Sequence, residues 1–168
     1  TDQAATVEIW FGTASISGNQ LTFSTGAAFQ YLAAGQNVDI VITYRAVDNH
    51  NAASANADVT ITVTGSNDAP TVSAILTGVT AGQAVDVTLQ GNDVDSDDDA
   101  TTLDYEITMP PSGGTAAIVN NVLTFNAGTA FSHLAPGATE VVTIGYRAVD
   151  LHGLTSTAAT ISITVTGG

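Results

Sequence analysis

Apolar and polar residues alternate at every second position along much of the chain. Val59, Ile61 and Val63 alternate with Thr60, Thr62 and Thr64. Ile161, Ile163 and Val165 alternate with Thr160, Ser162, Thr164 and Thr166, and Val85, Val87 and Leu89 with Asp86 and Thr88. Successive side chains of a strand point to opposite faces, so this period of two predicts strands with one buried and one wetted face. Val38, Ile40, Ile42, Tyr44 and Ala46 form a further inward row, repeated by Glu140, Val142, Ile144, Tyr146 and Ala148. No segment holds a helical period beyond a turn or two. Residues 129–134 predict one such turn, with Phe131 and Leu134 on a single face.

The pattern repeats at domain scale. Gly12 to Gly65, shifted by 102 residues, falls on Gly114 to Gly167 without a gap and with about half the positions identical. Leu21-Thr22-Phe23 returns as Leu123-Thr124-Phe125, and Tyr44-Arg45-Ala46-Val47-Asp48 as Tyr146-Arg147-Ala148-Val149-Asp150. A period near 100 residues is a whole domain and not a solenoid turn. The reading is therefore a partial repeat at 1–66 and a complete repeat at 67–168, the first lacking its N-terminal strands because it has no counterpart of residues 69–102. Ser66-Asn67-Asp68-Ala69-Pro70 is a short linker, in which Pro70 biases Ala69 toward extended geometry. Seven strands are expected in the complete copy, at 71–77, 84–90, 103–109, 115–119, 122–126, 140–149 and 157–166. Seven short strands in about 100 residues predict an all-β Greek-key sandwich.

Composition changes the picture in one respect. Sixteen acids face two basic residues, both arginine, for a formal net charge of −14. Such a surface repels nucleic acid and anionic membrane and attracts cations. No apolar run approaches spanning length, so no membrane insertion is expected. With no cysteine, any staple beyond the core must come from elsewhere, and a metal is the obvious candidate.

The acids concentrate in Gly91-Asn92-Asp93-Val94-Asp95-Ser96-Asp97-Asp98-Asp99, five aspartates within seven residues. Calcium takes six to eight hard oxygen ligands, which such a loop supplies densely; magnesium prefers to keep its waters. The loop joins the second and third strands. In a seven-stranded sandwich it lies at the same end as the N-terminal linker, carrying Asp68, and as the loop beginning at Asp150. The expected Ca²⁺ ligands are Asp68, Asp93, Asp95, Asp98 or Asp99, and Asp150. The alternative is a solvated acidic loop. An EF-hand is excluded: Asp98 stands where that loop needs glycine, and strands flank it.

Three segments resemble a known group: Asn67-Asp68-Ala69-Pro70, the Asp93/Asp95 loop leading into Leu103-Asp104-Tyr105, and Tyr146-Arg147-Ala148-Val149-Asp150-Leu151-His152-Gly153. They are similar to the cadherin-like and VCBS-type repeats of bacterial RTX adhesins. The resemblance implies tandem immunoglobulin-like (cadherin-like) sandwiches and calcium at or near domain junctions. It also implies a role as extender rods at the bacterial cell surface, with neighbouring repeats or identical subunits as partners. The first copy keeps Asp48 but has no acidic-loop partner for it.

Catalysis is not expected. There is no nucleophile elbow, phosphate loop or zinc motif, and the acids cluster too tightly for the separated pair of a glycosidase. His50 and His152 are repeat equivalents that suit a turn, and Arg45 and Arg147 suit local ion pairs with a nearby aspartate. Trp10 and Phe11, found only in the first copy, leave a glycan-stacking surface open. The missing strands of that copy leave open a fibre subunit completed by a strand from another chain.

Overall fold

The computed structural model describes residues 11–168, so Trp10 and its expected role lie outside the described residues. The chain divides into two compact units after Asn67. Every regular element among the described residues is a strand.

In the first unit, β1 (Thr13–Ser17) pairs antiparallel with β2 (Gln20–Ser24), and β3 (Asn37–Tyr44) with β4 (Ala57–Thr64). In the second unit, β5 (Thr71–Val72), β6 (Ile75–Thr80), β7 (Ala84–Thr88) and β8 (Gly91–Asn92) precede β9 (Asp104–Met109), β10 (Thr115–Val119), β11 (Val122–Asn126), β12 (Thr139–Val149) and β13 (Ala159–Thr166). One sheet runs β10-β11-β7 and the other β6-β13-β12-β9, with β5 and β8 as a short pair beside them. The ladders are antiparallel except that of β6 on β13. This is the expected Greek-key sandwich.

Three details differ from the expectation. The first strand, expected whole at 71–77, is two pieces serving different ladders: Thr71–Val72 pairs with Gly91–Asn92, and Ile75–Thr80 runs parallel to β13. The break falls at Ser73, whose carbonyl accepts the Tyr146 hydroxyl at 2.6 Å. In the inward row of β12, Glu140 is exposed and lies 3.3 Å from His133 Nε2. A charge at that position stays in water because nothing in the core could compensate its desolvation. The Arg147 guanidinium meets a glutamate and not an aspartate, reaching Glu106 Oε2 at 2.8 Å across the β9–β12 ladder.

The core of the second unit lies between its sheets. Leu123, Phe125, Val142, Ile144, Tyr146, Ile161, Ile163 and Val165 have no exposed surface. Each such aliphatic or aromatic burial stabilises by about 1.5–3 kcal/mol relative to exposure. The expected turn at 129–134 is present as successive turns, with Leu134 N–H on Phe131 O at 3.1 Å, and it puts Phe131 into the core. Gly145 marks a bulge between β12 and β9. A Cβ there would meet Thr108 Oγ1 at 2.7 Å and Met109 Cβ at 2.9 Å, so only glycine lets β9 close on β12.

Candidate metal centre

Two leucines fix the acidic loop at both ends. Leu89 and Leu103 are each about 1% exposed, so the chain leaves the core and returns to it within one short excursion. The start is also held by Gly91, whose N–H donates to Tyr105 Oη at 2.6 Å. A Cβ on Gly91 would sit 2.8 Å from Leu103 Cδ1, so the close approach requires glycine. Burial pushes the pKa of the Tyr105 hydroxyl above its ordinary value, which keeps this acceptor neutral.

The loop's short side chains then fold it on itself. Asp93 Oδ1 accepts the Asp95 N–H at 3.0 Å, a turn that aspartate makes readily. The turn sends Asp95 inward, where it is 2% exposed and its Oδ2 accepts the Asp68 N–H at 2.8 Å. Asp98 is buried too. Its Oδ1 accepts the Thr102 hydroxyl at 3.1 Å and the Leu151 N–H at 3.2 Å. Asp150, likewise buried, shapes its own loop by accepting the His152 and Leu154 N–H groups on Oδ1, both at 2.8 Å. Three segments remote in sequence are thus stitched together at one end of the second unit: Asp68, the acidic loop and the loop after Asp150. The bonds Asp68 N–H to Asp95 and Leu151 N–H to Asp98 are the stitches.

The electrostatics of this arrangement are unbalanced. Asp93 Oδ2, Asp95 Oδ1, Asp97 Oδ1 and Asp98 Oδ2 are all buried, and none has a hydrogen-bond partner. Burying an ionised carboxylate costs several kcal/mol unless a partner compensates, and each uncompensated neighbour adds repulsion. Asp95 shows the effect. Burial is the main cause raising its carboxyl above the ordinary value, reinforced by the charges of Asp93, Asp68 and Asp97 and opposed by the Asp68 N–H. One carboxylate oxygen each from Asp97 and Asp98 and one ring nitrogen of His152 lie within 4.8 Å of one another. Buried, unpartnered oxygens on neighbouring aspartates suit a hard divalent cation that prefers oxygen ligands.

The expected ligands therefore fall into two groups. Asp68, Asp93, Asp95, Asp98 and Asp150 gather at this end. Asp99 is exposed and turned to its own local turn, where Oδ1 accepts the Thr101 hydroxyl at 2.6 Å and the Thr101 and Thr102 N–H groups at 2.7 and 3.2 Å. These bonds, the hydroxyl first, hold its carboxyl below the usual value. Asp97, absent from the expected set, has an unpartnered buried oxygen and lies 3.8 Å from His152 Nε2. The alternation Asp93, Asp95, Asp97 was the available signal for it. In the first unit Asp48 accepts the His50 and Ala52 N–H groups at 2.8 and 2.9 Å, the same loop-shaping pattern as Asp150. Phe11 is 60% exposed and makes an edge-type ring contact with Phe29, 6.3 Å between centroids.

No helix among the described residues is long and apolar enough to cross a membrane. Residues 67–164 match the family model of the bacterial Ig domain. No curated protein sequence matches. Among solved structures, Drosophila N-cadherin EC1-4 aligns over 99% of this chain and 42% of its own, with a TM-score of 0.51 and 12% identity. Chicken VE-cadherin EC1-2 aligns over 99% of this chain and 84% of its own, with a TM-score of 0.45 and 17% identity. An endo-fucoidan hydrolase of glycoside hydrolase family 107 aligns over 98% of this chain at a TM-score of 0.43 and 17% identity, and this chain spans 24% of its length. The N-cadherin likeness, at 12% identity, bears on fold alone and agrees with an immunoglobulin-like, cadherin-like sandwich. The family match covers more than half of the chain, and the protein belongs to the bacterial Ig domain family.

Proposed function

We propose that the chain is a calcium-rigidified structural repeat, an extender of an extracellular bacterial surface adhesin, and that it carries no catalytic activity. The supporting observation is the set of four buried carboxylate oxygens on Asp93, Asp95, Asp97 and Asp98 that no protein group satisfies. Ca²⁺ would be held by these residues, with Asp68 and Asp150 completing the acidic surroundings. The ion supplies positive charge and takes several oxygens at once. This chain's residues supply the connection: Asp95 holds the backbone at Asp68, and Asp98 holds the backbone at Leu151. Fixing those carboxylates fixes the segment by which the repeat is entered. Neighbouring repeats of the same polypeptide are the partners in this role, and the acidic, lysine-free surface suits an extracellular setting.

Differential scanning calorimetry of metal-free protein during Ca²⁺ titration tests the reading. At about 100 times Kd the ion adds roughly 2.7 kcal/mol to the unit that binds it. The expected result is a rise of the order of 10 °C in one transition. Transitions unmoved by millimolar Ca²⁺ would remove the basis for the proposal.

A further inference from the structure

Both units carry a histidine in the same turn. His152 follows Asp150, whose Oδ1 accepts the His152 and Leu154 N–H groups at 2.8 Å, and Gly153 completes the turn at a φ of 88°. His50 follows Asp48, whose Oδ1 accepts the His50 and Ala52 N–H groups at 2.8 and 2.9 Å, with Asn51 at a φ of 64°. These bonds use the backbone of each histidine. The turn therefore accounts for the N–H of the residue and not for its ring.

The ring of His152 meets a second loop. Its Nε2 lies 3.8 Å from Asp97 Oδ2. One ring nitrogen of His152 and one carboxylate oxygen each of Asp97 and Asp98 lie within 4.8 Å of one another. A separation of 3.8 Å is too long for a hydrogen bond. It is within the span of two ligands on one ion. Zinc holds imidazole nitrogen at about 2.0–2.1 Å and carboxylate oxygen at about 2.0–2.2 Å, so two such donors can stand up to about 4.3 Å apart. Asp98 is an independent sign of a ligand. It is 6% exposed, its Oδ1 is taken by the Thr102 hydroxyl and the Leu151 N–H, and its Oδ2 is buried without a hydrogen-bond partner. Asp97 Oδ1 is likewise buried and unpartnered. His152 and Asp97 keep 35% and 31% of their side chains accessible, which leaves an entry for an ion and room for water on it. Calcium's preference for oxygen accounts for the aspartates but not for an imidazole among them. A borderline divalent ion takes both kinds of donor. His133 Nε2 instead lies 3.3 Å from Glu140 in an exposed pair. Neither His133 nor His50 belongs to such a group of three donors among the described residues.

We propose that Asp97, Asp98 and His152 form a second cation position at the His152 edge of the acidic loop, selective for a borderline divalent ion of the zinc type. Two carboxylate oxygens and one imidazole nitrogen are its protein ligands, and water completes the coordination. The bound ion ties the loop after Asp150 to the acidic loop through side chains, beside the backbone bond from Leu151 to Asp98. The position shares Asp97 and Asp98 with the calcium reading but rests on the imidazole, so it stands whether or not calcium binds the other oxygens.

The test uses the 168-residue chain, stripped with chelator and isotope-labelled, with Zn²⁺ alone as the probe. One equivalent of Zn²⁺ should shift the imidazole nitrogens of His152 and leave those of His50 and His133 in place. His152→Ala keeps the backbone bonds of the turn. It should lower Zn²⁺ affinity in calorimetric titration at least about tenfold, the least that loss of even an outer partner of a metal ligand costs, with Ca²⁺ affinity unchanged. His50→Ala, the internal control, should leave Zn²⁺ affinity as it is. Three results would overturn the proposal. The first is a His152 ring that responds to Zn²⁺ no more than that of His50, which would leave an ion pair with Asp97 only. The second is equal Zn²⁺ affinity in His152→Ala and the parent chain. The third is an equal loss of Zn²⁺ and Ca²⁺ affinity in His152→Ala, which would reduce the ring to a support for the loop. Zn²⁺ held at His152 by a chain that does not bind Ca²⁺ would uphold this position and count against the calcium reading alone.

Discussion

Tyr44 and Tyr146 occupy the same place in the repeat and lead different lives. Tyr146 is fully buried, donates to Ser73 and lies 6.5 Å from Tyr105 between ring centroids. Tyr44 is 40% exposed and lines an open cavity. The local sequence around them is the same five residues, Tyr-Arg-Ala-Val-Asp. Alternation therefore determines which side chains point inward, but burial depends on whether a second layer is there to meet them. Ile42 and Ile144, by contrast, are fully buried in both units.

The largest expected effect follows from that difference. Ile163→Ala removes a fully buried side chain from β13 and should cost about 2–5 kcal/mol. Ile61→Ala, the same change in the first unit, should cost less, roughly half as much, because its side chain is already partly exposed. Denaturant melts of the two variants measure both. Equal losses would mean that the two interiors are equally closed and would erase the comparison.

A second contrast lies within the acidic loop. Asp98→Asn removes a charge from a buried carboxylate with one unpartnered oxygen, whereas Asp99→Asn touches an exposed carboxylate that serves its own turn. Calorimetric titration should show Ca²⁺ affinity reduced at least about tenfold by Asp98→Asn, with little change from Asp99→Asn. The reverse ranking would move the centre to the outer side of the loop. The smallest effect is expected at Arg147→Ala. Its ion pair with Glu106 is exposed at both ends, with 40% and 53% of the side chains accessible, so the loss should stay under about 1 kcal/mol.

Much of this was legible in the sequence. The strands of the second unit, its sandwich class and the gathering of Asp68, the acidic loop and the loop after Asp150 follow from period-two alternation and from strand order. The split of the first strand was not legible, because it depends on a hydrogen bond between Ser73 and Tyr146, 73 residues apart. Nor could spacing separate Asp97 from Asp99. Both are aspartates in a dense run, and what divides them is the Thr101-Thr102 pair, which draws the Asp99 carboxylate into a local turn. Glu140 entered the inward row by repeat equivalence with Val38. Its charge overrode the alternation at the end of a strand, where leaving the core costs little.

The central claim is that a divalent cation balances the buried carboxylates of Asp93, Asp95, Asp97 and Asp98 and thereby stiffens the end of the second unit. Residue-resolved hydrogen exchange, with and without Ca²⁺, reads this most directly. Slower exchange is expected at the amides of Asp68, Asp95, Asp98 and Leu151, with the amides of β3 and β4 unchanged. Identical exchange at those four amides in millimolar Ca²⁺ and in chelator would contradict it.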